Sequence, residues 1–76
     1  MEVVYTNHAE GQIKERCISK EKVESALMAP DKTVDSRDGT KAVQKLDGKK
    51  LLRVIYKQDN NTYIVITVYY TAPDRY

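Results

Sequence analysis

The sequence has no tryptophan or phenylalanine, only one cysteine and one histidine, and few residues that break regular structure (two prolines and three glycines). A single cysteine excludes an internal disulfide, and one cysteine with one histidine is too few for a typical structural zinc site. No linker-like or repetitive stretch interrupts the 76 residues. We therefore expect a single domain over residues 1–76 that holds no metal and needs no cofactor.

Long hydrophobic runs are also absent, and none approaches the roughly 20 residues that span a bilayer. The first residues, MEVVYT, lack the basic segment and apolar stretch of a signal peptide. Together with the low cysteine content, this predicts a cytoplasmic protein without a membrane partner. A chain of this size buries only about 60% of its unfolded surface, so we expect a monomer or a weak homodimer.

Charge is unevenly distributed although the net charge is only +2. The segment 41–57, called the basic segment below, has six basic residues and one acidic residue, a net charge of +5 against −3 for the remainder. Such a segment favours a polyanionic partner such as RNA. The alternative is that its lysines only solvate strand edges and prevent aggregation.

The first third of the chain predicts a strand and two short helices. EVVYT is a β-branched and aromatic run typical of a strand, and Asn7 has the chemistry of an N-cap for a helix over about 8–16. Ser19 is a second N-cap candidate, and Pro30 stops the second helix. Cys17 is expected to be a small buried hydrophobic residue at the end of the first helix, where glycine is often favoured.

The remainder predicts β-structure. DKTVDS is typical of an edge strand, and Asp47-Gly48 is a strong hairpin signal that would set Val43 opposite Leu52. In a second turn, Asn60 or Asn61 adopts the left-handed conformation. The expected fold is α+β: a short N-terminal strand and two short helices, then an antiparallel sheet of three to four strands with the helices packed on one face.

Alternation along the strands predicts which residues face the helices. The predicted helix-facing residues, with Val23 and Leu27 above them, are Val43, Leu52, Val54, Tyr56, Ile64, Ile66 and Val68. The predicted residues of the opposite face are Arg53, Ile55, Lys57, Tyr63, Val65, Thr67 and Tyr69.

Three residues of the first helix, His8, Glu15 and Arg16, form the candidate catalytic group. His8, Gln12, Glu15 and Arg16 are spaced so that they share one helical face, called the helix stripe below. The helix dipole at the N-terminus favours a neutral imidazole, which acts as a base. With the carboxylate of Glu15 and the guanidinium of Arg16, it suits a phosphodiester substrate. Alternatively, His8 only helps to cap the helix and Arg16 pairs with Glu15 or with the last carbonyls.

The second candidate group is the face of the sheet that the helices leave open. Arg53, Thr67 and Tyr69 there suit a substrate with stacked bases and phosphates. The same residues also suit a plain solvent-facing surface, because tyrosine and threonine favour strands.

Several short motifs give the chain a resemblance to the family catalogued as domain of unknown function 4258. That family opens with a strand ending in serine or threonine, then His-Ala, a helix, and Glu-Arg-Gly-Ile-Ser, and it closes with a hydrophobic strand. The matching residues are Thr6, His8, Ala9, Ile13, Glu15, Arg16, Ile18, Ser19, Gly48, Leu52, Val54, Tyr56 and those of 64–70. Gln12 and Cys17 depart from it, where many members have arginine and glycine.

The family is in turn similar to RelE-like and BrnT-like toxin domains, which cleave RNA without metal. The resemblance implies a RelE-like fold and a small metal-independent ribonuclease with an antitoxin-like protein partner. His8, Glu15 and Arg16 would then be catalytic, and Arg53, Thr67 and Tyr69 would bind substrate. The alternatives are a non-catalytic module that binds RNA or protein and a structural or regulatory domain without a ligand.

Overall fold

The computed structural model describes residues 2–72, which form two helices and five strands. A short 3-10 turn at Arg37–Gly39 separates the second and third strands. The elements in chain order are β1 Glu2–Tyr5, α1 Asn7–Glu15, α2 Lys20–Met28, β2 Lys32–Asp35, β3 Lys41–Asp47, β4 Lys50–Asp59 and β5 Thr62–Thr71. Neither helix of residues 2–72 is long and apolar enough to cross a membrane.

The strands form one mixed sheet in the order β1-β5-β4-β3-β2. Strands β2 to β5 are antiparallel neighbours, as expected, and β2 is an edge strand. The sequence-based description is incomplete in one respect, because β1 joins the sheet as a fifth strand, parallel to β5. Parallel pairing requires a long crossover connection, and here the helices and three strands provide it. The α+β class is confirmed.

The helix ends follow local capping chemistry. The N-cap of α1 is Thr6 and not Asn7, because the Thr6 hydroxyl accepts a hydrogen bond from the Ala9 amide at 3.1 Å and Asn7 is the first helical residue. Ser19 caps α2 as predicted. That helix ends at Met28, shortly before Pro30.

The β3–β4 hairpin has its turn one residue later than the sequence indicates. Asp47 pairs with Lys50 around Gly48 and Lys49, and Val43 lies opposite Val54 and not Leu52. Gly48 has a φ of 65°, a left-handed conformation that glycine adopts readily. Because the register differs by two residues, each side chain stays on its predicted face.

Strand β5 contains a β-bulge. Its hairpin with β4 closes through Asn60 and Asn61, with Asn60 left-handed at φ 56°, as predicted. Near this turn Tyr56 pairs with Val65, whereas Val54 pairs with Val68 further along, so β5 has one extra residue at Ile66. An extra residue moves every side chain beyond it to the other face.

On the part of β5 before the bulge, the buried residues differ from the predicted core residues. Val65 is fully buried, and Tyr63 packs against the core, although alternation assigned both to the opposite face. Ile64 and Ile66 are only half-buried, so their predicted core positions are wrong. The sheet face against the helices, called the core face below, contributes Val43, Leu52, Val54, Tyr56, Val65 and Val68, against Ala9, Ile18, Val23, Ala26 and Leu27 of the helical region.

Cys17 ends the first helix in the left-handed conformation, with a φ of 53°. The Ile18 amide bonds the Ile13 carbonyl oxygen at 3.0 Å, which is the hydrogen bond of a Schellman motif. In this motif the following residue packs inward, and Ile18 is buried. The expectation of a buried Cys17 is wrong, since its side chain is exposed.

The bulge predicts an inverted order of mutational effects in β5. Val65→Ala should destabilise the protein by about 2–3 kcal/mol, because it removes two methyl groups from a fully packed site. Ile64→Ala removes more atoms but from a half-buried site, so it should cost about 1 kcal/mol. Urea denaturation of both variants measures the difference, and a larger loss for Ile64→Ala would contradict the bulge.

The conformation of Cys17 predicts a stabilising substitution. Cys17→Gly should raise the free energy of unfolding by about 0.5–1 kcal/mol, because glycine avoids the steric cost of a left-handed residue. Cys17→Ala removes the thiol but keeps the Cβ atom, so it is the matched control and should change little. Equal stability of the two variants in thermal melts would show that backbone strain is absent.

Candidate functional site

Helix α1 is attached along the edge of β5 where β1 ends. The pairing of β1 stops at Tyr5 opposite Val65, and the Thr6 hydroxyl then donates to the Ile66 carbonyl oxygen at 3.3 Å. Six residues further on, the side-chain oxygen of Gln12 accepts a hydrogen bond from the Val68 amide at 2.8 Å. Two helix-region side chains thus continue, along β5, the hydrogen bonding that β1 begins.

The other residues of the helix stripe lie on either side of Gln12 along α1. His8 and Glu15 are four residues before and three residues after Gln12, one turn away in each direction. Both are exposed, as is Arg16 at the C-cap. Within residues 2–72 no side-chain hydrogen bond or ion pair engages His8, Glu15 or Arg16. The expected structural roles, capping by His8 and pairing of Arg16 with Glu15, are therefore not seen there.

The substrate-binding candidates share the sheet face opposite the core face, called the outer face below. Arg53 alternates with the core residues Leu52 and Val54, and it lies directly opposite Tyr69 of β5. Thr67 is the previous outer-face residue of β5. All three candidates are half-buried. The structure therefore brings Arg53, Thr67 and Tyr69 together on one surface.

The outer face is not uniformly polar. Leu46 and Val4 on it are 56% and 42% exposed. Three of its residues are buried: Ala42 and Gln44 of β3, and Leu51 of β4, the strand that carries Arg53. Its central positions carry basic and hydroxyl groups. Its carboxylates, Glu2 and Asp59, lie opposite Thr62 in the strand register, at the end of the face next to the β4–β5 turn. Among residues 2–72, no carboxylate belongs to the centre of this face, which favours a polyanion there.

The basic segment is divided between the two faces. Lys45 and Lys50 pair across the hairpin with core-face residues, whereas Arg53 and Lys57 belong to the outer face. The core-face side also contains Asp47, which accepts hydrogen bonds from Lys22 Nζ at 2.8 Å and from the Tyr70 hydroxyl at 2.6 Å. These bonds, first that from Lys22, lower the pKa of Asp47.

A second polar network links β1 to both helices. The Tyr5 hydroxyl donates a hydrogen bond to the Glu24 carboxylate at 3.2 Å. The Lys20 ammonium lies 4.8 Å from the centre of the Tyr5 ring, and it also forms an ion pair with Glu10 at 2.8 Å. Burial, followed by the nearby Glu24 carboxylate, raises the pKa of Tyr5 to about 12. This tyrosine therefore stays neutral at physiological pH and acts as a structural donor. No group of three or more metal-ligating side chains is found within residues 2–72.

Comparison with known families gives one result for most of the chain. Residues 5–70 match the model of a family described as a domain of unknown function, DUF4258. The chain belongs to this family. No curated protein and no solved structure matches it. The DUF4258 region runs from the end of β1 to Tyr70, so it includes the helix stripe and the outer-face candidates.

Sequence reasoning missed the residues that join these groups. In the sequence, Gln12 is only a member of the helix stripe that stands where many family members have arginine, whereas in the structure its amide oxygen is the acceptor that attaches α1 to Val68. The contact of Asp47 with Lys22 was also not foreseen, because the two residues are far apart in the chain. A glutamine in a polar helical stripe has many possible uses, and no short motif distinguishes this one.

The role of Gln12 can be tested by its replacement. Gln12→Leu should destabilise the protein by about 1–3 kcal/mol, because the Val68 amide loses its acceptor in a half-buried position. Gln12→Glu keeps an acceptor oxygen at neutral pH and is the control. Hydrogen exchange at the Val68 amide should accelerate only in the leucine variant; unchanged exchange there would contradict the assignment.

Proposed function

We propose that this domain binds single-stranded RNA across the helix stripe and the outer face, and cleaves it without metal. The observation that carries the proposal is the 2.8 Å hydrogen bond between Gln12 and the Val68 amide. It fixes the stripe beside the part of β5 where Thr67 and Tyr69 flank Val68. This contact supports a path for one ligand from the helix stripe across the edge of β5 to the outer face.

The chemistry of the outer face favours RNA as the ligand. Arg53 opposite Tyr69 combines a guanidinium for phosphate with an aromatic ring for a base. Thr67 adds a hydroxyl that suits a ribose. The guanidinium of Arg16 extends the positive charge to the end of α1. These residues favour a flexible polyanion with exposed bases over a protein surface.

The length of the helix stripe favours an extended ligand. His8 and Arg16 differ by about 12 Å along the helix axis, so they suit successive parts of one strand better than a single phosphate. In this arrangement Arg53 and Arg16 hold the backbone, and Tyr69 stacks a base. Glu15 supplies the carboxylate of the proposed catalytic group, and within residues 2–72 it forms no ion pair with Arg16.

In the proposed cleavage, His8 acts as the general base. The imidazole takes the proton of a ribose 2′-hydroxyl, and the 2′-oxygen attacks the adjacent phosphorus. The bond from phosphorus to the 5′-oxygen breaks, and that oxygen takes a proton from water. The products are a 2′,3′-cyclic phosphate and a 5′-hydroxyl end. The arginines stabilise the added negative charge at phosphorus. The proposal therefore includes a role as a RelE-like or BrnT-like toxin, since such toxins cleave RNA without metal.

The second candidate function is a non-catalytic module that binds RNA. It is favoured by the fact that, within residues 2–72, no bond links the side chain of His8 to a second group that would orient it. Catalytic bases are usually held by such a partner. A protein ligand, such as an antitoxin-like strand, would instead add to a sheet edge through main-chain hydrogen bonds.

Two substitutions separate binding from cleavage. His8→Ala should abolish cleavage and leave RNA affinity unchanged, because the imidazole serves only proton transfer. Arg53→Ala should weaken RNA binding about tenfold, as expected for a charge-assisted contact. The measurements are a cleavage assay on mixed RNA with EDTA present and a filter-binding titration at several salt concentrations.

The controls remove similar groups elsewhere. Asn7→Ala alters the same helical turn as His8, and Lys41→Ala removes a charge of the basic segment from the core-face side. Binding of wild type should fall as salt rises, because counterions are released. Binding without cleavage supports the non-catalytic module, and the absence of both activities overturns both candidates.

A further inference from the structure

A second positively charged surface lies between α2 and the β3–β4 hairpin, on the core-face side. It contains a cavity of about 150 Å³, called the lysine cavity below, whose walls are formed by Lys22, Ser25, Lys45, Leu46, Asp47 and Leu52. Strand pairing explains the arrangement. Lys45, Leu52 and Tyr70 form one row across β3, β4 and β5, and Asp47 and Lys50 form the next row.

Cations outnumber carboxylates around this cavity. Lys22 pairs with Asp47, whereas Lys45 donates to the carbonyl oxygen of Ala29 at 3.0 Å and Lys50 lies 5.7 Å from the Tyr70 ring centre. Within residues 2–72, neither Lys45 nor Lys50 forms an ion pair with a carboxylate. The Asp31 carboxylate, which is not part of the cavity wall, accepts a hydrogen bond from the Leu46 amide at 2.8 Å. The cavity wall therefore carries two ammonium groups, those of Lys22 and Lys45, and one carboxylate, that of Asp47.

We propose that the lysine cavity binds a phosphate group. The Lys22 and Lys45 ammoniums and the Ser25 hydroxyl are all donors, which suits an anion with several acceptor oxygens. The volume is below the 300–1,000 Å³ of typical small-molecule pockets, so it fits the phosphate and leaves the remainder of the ligand outside. The ligand is either a phosphate of RNA or a free phosphorylated small molecule.

Asp47 limits the affinity of this site. Its carboxylate holds Lys22 at 2.8 Å and presents a negative charge to any entering anion. A bound phosphate therefore competes with Asp47 for Lys22. Removal of this one negative charge should strengthen phosphate binding, whereas loss of a lysine should weaken it. Any anion near these residues responds to the two changes in opposite directions, so the comparison with a lysine on the outer face decides whether it occupies the cavity.

The site can be tested with inorganic phosphate, followed by amide chemical shifts of the labelled protein at constant ionic strength. We expect saturable shifts at Ser25, Leu46 and Leu52. Lys45→Gln should weaken binding about tenfold, which corresponds to one lost charge-assisted contact. Lys57→Gln removes a charge of the same basic segment from the outer face and should have no effect. Asp47→Asn should tighten binding several-fold.

Other results would overturn the site. Shifts spread over all lysines, equal losses for Lys45→Gln and Lys57→Gln, or weaker binding by Asp47→Asn would each show that phosphate only screens surface charge. If Lys45→Gln does not fold, Ser25→Ala serves in its place, because Ser25 is exposed on α2 and its loss should still weaken binding.

Two further ligands identify the source of the phosphate. Adenosine monophosphate represents free small molecules, and a short RNA with or without a 5′-phosphate represents the polymer. If one of these ligands binds more tightly than inorganic phosphate, and Lys45→Gln removes that advantage, the result supports the site and shows which kind of ligand supplies the phosphate. The proposal does not depend on RNA cleavage: His8→Ala and Arg53→Ala, on other surfaces, should leave the phosphate-dependent shifts of Ser25, Leu46 and Leu52 unchanged, whatever their effect on RNA binding.

Discussion

The extra residue in β5 determines how the two faces of the sheet are composed. Between the turn and the bulge, Tyr63 and Val65 face the helices, and beyond Ile66 the same role passes to Val68 and Tyr70. A regular strand would expose one of these pairs. The bulge is also where Thr6 and Gln12 bond the strand backbone. Packing of the core and attachment of α1 therefore depend on the same irregularity.

The local chemistry of turns and caps was predictable, because single residues decide it. Ser19 caps α2, Pro30 follows its end, and Asn60 adopts the left-handed turn conformation. The choice between Thr6 and Asn7 was not decidable in the same way, since both residues cap helices well. Here the threonine hydroxyl also bonds Ile66 of β5, which is a tertiary contact that no local rule contains.

The phase of β5 could not be predicted, since its apolar residues occupy both odd and even positions. Ile64, Val65, Ile66 and Val68 make either face of this strand hydrophobic, so alternation has little power. The outer-face candidates were nevertheless assigned correctly. Thr67 and Tyr69 lie beyond the bulge, where the extra residue at Ile66 reverses the shift that places Tyr63 and Val65 on the core face. The wrong phase of the first half of β5 and the unpredicted bulge therefore cancel for these two residues.

The basic segment shows why composition alone does not locate a binding surface. Alternation along the hairpin sends Lys45 and Lys50 towards α2 and sends Arg53 and Lys57 to the outer face. One run of positive charge in the sequence is therefore two surfaces, separated by the thickness of the sheet. A single RNA strand that reached both would have to pass around the rim of the sheet, for example over the hairpin turn, where Lys49 lies exposed. The two surfaces are thus best regarded as independent anion sites, unless one ligand is long enough to cross that turn.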